Sequence, residues 1–201
     1  VCEESSSDED PMDVYYQKKS TTALQRQAQR IGAVPSIKRT QNFVYVTTYA
    51  TTANTWTPLL VNGLTQGTGA SNRIGRQIFM THAQWKASPN SLTRLLLIYD
   101  SQSNGAAPAI GDILQDPADQ GFSPHNFQGR ERFSYLFDSV YDLTPERVVN
   151  LTWKYMPIGL HTTYNDGNAG TVADITSGAL YLFAYTSLTI VGISFNLYYE
   201  E

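Results

Sequence analysis

The sequence predicts an all-β chain. From residue 42 onward, apolar and polar residues alternate with period two. Clusters of Gly, Asn, Pro and Ser (VNG, GTGASN, SPN, NDGNAG) interrupt that alternation at strand-length intervals. Only one early stretch and one loop segment carry helical spacing.

Residues 1–13 (VCEESSSDEDPMD) are acidic, Ser-rich and nearly free of apolar groups, too little to order themselves by burial. Residues 21–31 read as a short helix. Thr21 or Thr22 caps it, Leu24, Ala28 and Ile31 share one face, Gly32 ends it and Pro35 follows. Arg26 and Arg30 lie on a neighbouring face and, with Lys18, Lys19, Lys38 and Arg39, make a basic arm. Strands are expected near 42–50, 56–64, 75–86, 92–100, 131–142, 147–158, 160–164, 178–187 and 189–199. The last is the clearest: Val191, Ile193, Phe195, Leu197 and Tyr199 alternate with Gly192, Ser194, Asn196 and Tyr198. Phe133, Tyr135 and Phe137 alternate likewise, as do Val149, Leu151, Trp153 and Tyr155. A long connection, 101–130, is expected to be functional or interfacial. Pro108 suits a first helical position there, followed by Ala109, Ile110, Ile113 and Leu114. About eight strands with long connections and almost no helix point to a jelly roll of two four-stranded antiparallel sheets. An immunoglobulin-like sandwich is the rival, but its Cys–Trp–Cys spacing is absent. The domain reading is therefore an N-terminal arm, 1–41, and a jelly-roll domain, 42–201.

A chain of 201 residues suits one such domain. Cys2 is the single cysteine, so no intrachain disulfide forms, and a reducing compartment is the default expectation. No apolar run reaches membrane-spanning length, and no secretory apolar segment opens the chain. It does not begin with Met, so an upstream start is expected. The net charge of −4 hides an asymmetry. Residues 1–16 carry six acids and no base; residues 17–99 carry ten bases and no acid; residues 100–201 carry twelve acids and four bases. The acid-free stretch reads as a surface facing a polyanion.

No active site is expected. His82, His125 and His161 lie on separate segments, and no HExxH, CxxC pair or GxSxG occurs. Gly67–Gly75 lacks the Lys of a phosphate-binding loop and leads into a strand. Asn165–Asp174 lacks the repeated acids of a calcium loop and reads as a turn. Glu131 and Asp138 have no defined separation to act as a carboxylate pair. The sequon at Asn150 falls inside an expected strand, and Ser5–Asp10 reads as a solvated tail or an acid-directed phosphorylation site. No cofactor and no metal are implied.

A series of segments carries a resemblance. Arg73-Ile74-Gly75-Arg76 leads into a strand, and Arg94-Leu95-Leu96-Leu97-Ile98-Tyr99-Asp100 follows. Next come Asn104-Gly105-Ala106-Ala107-Pro108, Asp112-Ile113-Leu114 and Arg130-Glu131-Arg132-Phe133. The series ends with Gly178–Tyr185 and Ile193–Tyr199. In this order, over residues 56–199, it resembles the capsid proteins of small circular single-stranded DNA viruses with a rolling-circle replication protein. It is similar also to geminivirus coat proteins and to the coat protein of satellite tobacco necrosis virus.

The resemblance implies a jelly-roll subunit and a closed icosahedral shell of sixty copies. Its strands B to I would start at 56–64 and end at 189–199, which makes 101–130 the D–E connection, gathered at the fivefold axis. It implies a basic arm facing the genome, with Lys18, Lys19, Arg26, Arg30, Lys38, Arg39, Arg73 and Arg76 as candidates. The implied partners are other copies of the chain and packaged single-stranded DNA, with RNA left open, and no membrane. The implied location is the virion, and the host nucleus during assembly of a DNA genome. This arm is sparser than the family's dense basic tracts, and an acidic head precedes it. A jelly-roll binding module, lectin-like or fibre-tip, is the alternative; it would show an exposed aromatic platform. An enzyme would require one of the histidines to meet a carboxylate.

Overall fold

Two antiparallel sheets face each other across one apolar core. The structure is a computed structural model and describes residues 42–46, 51–88, 91–119, 121–141, 154–187 and 192–201. The strands are β1 (Asn42–Val46), β2 (Thr57–Leu60), β3 (Gln77–Ser88), β4 (Thr93–Asp100), β5 (Phe133–Tyr141), β6 (Lys154–Tyr164), β7 (Ile175–Ser177), β8 (Ala179–Thr186) and β9 (Gly192–Glu200). One sheet runs β1-β9-β3-β6-β7 and the other β2-β8-β4-β5. The expected helix at 21–31, the acidic head with Cys2 and Ser5–Asp10, and the sequon at Asn150 lie outside the described residues.

The connectivity is that of a rolled hairpin. β1 pairs with β9, β2 with β8, β3 with β6 and β4 with β5, all antiparallel. Apart from the three-residue β7, these are the pairings of one long two-stranded ribbon. The ribbon then closes on itself through β3 with β9 and β4 with β8. Two four-stranded sheets connected this way make a jelly roll, the expected fold. β7 adds a short fifth strand at the edge of the first sheet.

The strand count within that fold differs from the expectation. β1 pairs with β9 and so takes the first of the eight places, which moves the segments at 56–64, 75–86 and 92–100 one letter on. The long segment after residue 100 joins the fourth strand to the fifth, an E–F connection and not a D–E one. Its assignment to a fivefold axis therefore does not carry over. The separate strands expected at 147–158 and 160–164 are one strand over the described part. β6 runs through Gly159, whose φ of 67° only glycine adopts without strain.

The two sheets bury different numbers of faces, and the sequence pattern follows. In β9, Ile193, Phe195, Leu197 and Tyr199 are buried, while Ser194, Asn196, Tyr198 and Glu200 are half-exposed on the outer face. In β4 and β8 almost every residue is buried, because both faces of this sheet are covered. Strands covered on both sides read as continuous apolar runs, as RLLLIY and ALYLFAY do. Between the sheets, Trp85 of β3 meets Phe137 of β5 edge-on at 4.8 Å, beside Leu95, Leu97, Leu182, Ile193 and Phe195.

One buried polar hub ties the sheets together. Asn62 Nδ2 donates to Thr162 Oγ1 and to the Gly178 carbonyl, both at 2.8 Å, and Oδ1 accepts from the Leu180 amide at 2.8 Å. Tyr164 Oη donates to the Asn62 carbonyl at 2.7 Å. The side chain thus satisfies its donors and acceptor in an apolar setting where an unmade bond would be costly.

Candidate functional site

The connection between β4 and β5 lies over the outer face of the β2-β8-β4-β5 sheet. It contains a four-residue helix, α1 (Ile110–Ile113), which starts two residues after Pro108, and a 3₁₀ turn at Phe127–Gly129. Ile113 and Leu114 are fully buried against the sheet, which explains why β4 and β8 are apolar on both faces. Two bidentate ion pairs fasten it. Arg94 Nε and Nη2 donate to Asp138 at 2.9 and 2.7 Å, while Nη1 reaches the carbonyls of Gly121 and Ser123. Arg132 Nε and Nη2 donate to the fully buried Asp100, both at 2.8 Å. Tyr135 Oη donates to the Ile113 carbonyl at 2.6 Å. Planar guanidinium–carboxylate pairing of this kind fixes direction as well as distance. Anchored in this way, the connection holds Phe122 and Phe127 outward, 68% and 78% exposed.

His125 belongs to the same cluster. Its ring stacks on Tyr135 at 3.6 Å, and Nε2 lies 2.8 Å from Asp138 Oδ2. A histidine does meet a carboxylate here, the condition set for an enzyme. Among the described residues, no Ser, Thr or Cys side chain is hydrogen-bonded to His125, and Asp138 is also claimed by Arg94. Burial opposes ionisation of Asp138, but the hydrogen bonds from Arg94 and His125 outweigh it and hold its pKa below the ordinary carboxylate value. Among the described residues, no three His, Cys, Asp or Glu side chains converge as a metal site would need.

The basic residues expected at a polyanion divide into three groups. Lys18, Lys19, Arg26, Arg30, Lys38 and Arg39 lie outside the described residues. Arg73 is buried, 0% exposed, and its placement corrects the expectation. Its Nε donates to the Leu64 carbonyl at 3.3 Å, Nη1 to Gly75 at 2.7 Å and Nη2 to Gly167, while its Cζ sits 4.2 Å over the Tyr164 ring. With its charge enclosed by carbonyls and an aromatic face, Arg73 clamps the 62–75 and 165–174 loops and cannot meet a phosphate. Arg76 is exposed and pairs with Asp166. In the Asn165–Asp174 turn, Asn165 Oδ1 accepts from the Gly167 amide and Asp174 Oδ2 from the Thr171 amide, so these oxygens close the turn itself.

The opposite sheet carries a different feature. On the outer face of β1-β9-β3-β6, register aligns Phe43, Tyr198, His82 and Pro157 in one row across four strands. Tyr198 and His82 stack at 4.2 Å with rings 10° apart. Phe43 lies 6.1 Å from Tyr198, and Tyr155 lies 4.8 Å from His82. Partial burial lowers the pKa of His82, which favours a neutral ring in this stack. A β-bulge between Met80 and His82 sets the row up. Ile78 and Met80 point inward; the extra Thr81 reverses the parity, so Ala83 and Trp85 point inward and His82 outward.

The chain matches no protein-family model. No curated protein matches it either. The functional reading therefore rests on the architecture and on these surfaces.

Sequence reasoning located the 101–130 connection but missed the aromatic row. Its members come from four strands whose register and bulge are tertiary facts. It also missed that Arg94, Asp138 and His125 meet. One signal was available: Arg94 and Asp100 are charged residues bounding a continuous apolar run, which implies buried, paired charges.

Proposed function

We propose that this chain is a viral capsid protein, a jelly-roll subunit that assembles into a small icosahedral shell, of sixty copies on the resemblance described above, around single-stranded nucleic acid. The observation that carries the reading is the β4–β5 connection. A long segment is fastened to one sheet by two bidentate ion pairs and a tyrosine hydrogen bond, yet it presents Phe122 and Phe127 to solvent. Rigid exposed aromatics are poor surface residues and good anchors for another copy. The jelly-roll topology and the ordered segments that resemble capsid proteins support the same reading. Its mechanism is closure: self-complementary patches repeated by symmetry, with basic residues neutralising phosphates without reading sequence.

A second reading, a jelly-roll binding module forming a small oligomer, is favoured by one observation, the exposed aromatic row on the other sheet. Electron microscopy and sedimentation of the purified protein separate the two. A closed shell carrying nuclease-protected nucleic acid is the expected result. A homogeneous monomer or small ring at high concentration and low salt would remove the capsid reading.

A further inference from the structure

We infer that Asn104 is a self-modification site. The amide nitrogen of Gly105 attacks the Asn104 side-chain amide, and the residue becomes aspartate or isoaspartate with loss of ammonia. The reaction needs neither a ligand nor shell formation, so it is independent of both functional readings above.

The sequence holds two Asn-Gly pairs, Asn62-Gly63 and Asn104-Gly105, and the fold treats them oppositely. Asn62 is fully buried and pinned. Its Nδ2 donates to Thr162 Oγ1 and to the Gly178 carbonyl, and its Oδ1 accepts from the Leu180 amide. Turning this side chain toward the Gly63 nitrogen would break those bonds in an apolar setting. Gly63 is enclosed as well, since a Cβ there would collide with the Gly170 carbonyl oxygen. Asn104 and Gly105 are instead exposed, in the irregular start of the β4–β5 connection. Among the described residues, neither the Gly105 N–H nor Asn104 Nδ2 donates a hydrogen bond to protein. Asn104 Oδ1 does accept one, from the Ala106 amide at 3.3 Å.

Each feature serves the chemistry. The Gly105 nitrogen, once hydroxide has taken its proton, is free to add to Asn104 Cγ. The Ala106 N–H polarises that carbonyl and stabilises the oxyanion that forms on Oδ1. The new bond joins the Gly105 nitrogen to Cγ. The Cγ–Nδ2 bond breaks, and its nitrogen takes a proton from water and leaves as ammonia. A succinimide ring remains. Water opens it at Cγ to give aspartate, or at the Asn104 main-chain carbonyl to give isoaspartate. The balance is one water consumed and one ammonia released. Gly105 has no Cβ to shield its nitrogen, and its φ of 82° is one that other residues adopt only with strain. Outside these two pairs, every described asparagine precedes a residue with a side chain. The product adds a negative charge to the connection that presents Phe122 and Phe127, so each subunit carries an irreversible clock there.

The test is incubation of the folded full chain at mildly alkaline pH, followed by peptide mapping with mass spectrometry. The Asn104 peptide should convert to the acid form at least about tenfold faster than the Asn62 peptide, which must wait for the core to open. In denaturant the two should convert at similar rates, because both are then exposed Asn-Gly pairs. Ion exchange should show an acidic satellite that grows with time and elutes with Asn104→Asp. The satellite should be lost in Asn104→Gln and slowed in Gly105→Ala, which keeps the asparagine but shields the attacking nitrogen. Part of the product should be isoaspartate, scored by labelling with an isoaspartyl methyltransferase. Equal rates at Asn62 and Asn104 in the folded chain, or no conversion at Asn104, would overturn the assignment. So would aspartate without isoaspartate, the mark of direct amide hydrolysis without the ring.

Discussion

Arg94 on β4 grips Asp138 on β5 with two hydrogen bonds of 2.9 and 2.7 Å, one strand apart, beneath the connection that joins those strands. The guanidinium is almost wholly buried and the carboxylate a quarter exposed. A half-buried pair like this need not exceed a well-packed apolar pair in stability, but breaking it leaves the buried Arg94 charge without its partner.

Asp138→Asn should therefore lower stability at neutral pH by about 1–3 kcal/mol. The folded-state pKa of Asp138 lies below its ordinary value. Its stabilisation is thus fully present above the unfolded carboxylate pKa of about 4 and disappears as pH falls through the lower folded value. The gap in melting temperature between wild type and Asp138→Asn should narrow on going from pH 6 to pH 3. A constant gap would contradict this assignment.

Arg73 and Arg76 belong to one short motif and should behave oppositely. Arg73→Met strips donors from three loop carbonyls and should cost about 2–4 kcal/mol in denaturant unfolding, with no change in the salt dependence of nucleic-acid binding. Arg76→Gln removes an exposed pair and should move stability by no more than about 0.5 kcal/mol. Equal destabilisation by the two would refute the structural role assigned to Arg73.

Phe122 and Phe127 supply the assembly prediction. Replacing both with Ser removes exposed rings and should leave the melting temperature of the subunit nearly unchanged. Sedimentation should nevertheless shift from particles to small species, because central aromatic anchors carry about 2 kcal/mol or more each at an interface. Particles of unchanged size and salt stability would place the contacts between copies elsewhere.

The sequence by itself determined the fold class, because period-two alternation and turn residues are local signals and most strands obey them. It also carried, without its being used, the difference between the sheets. GISFNLYY alternates because one face of β9 meets water; RLLLIY does not because β4 is covered twice. What only the tertiary structure decided concerns residues that meet across the chain. Whether Arg73 reaches solvent depends on Tyr164 and Gly167, roughly ninety residues away. Whether His82 faces the core or joins Tyr198 depends on one inserted residue at Thr81, a backbone detail with no compositional mark. The rank of the first strand depends on β1 pairing with β9 across the whole domain. Burial of a charge, register and pairing order are settled by contacts distant in sequence, and a local pattern has no access to them.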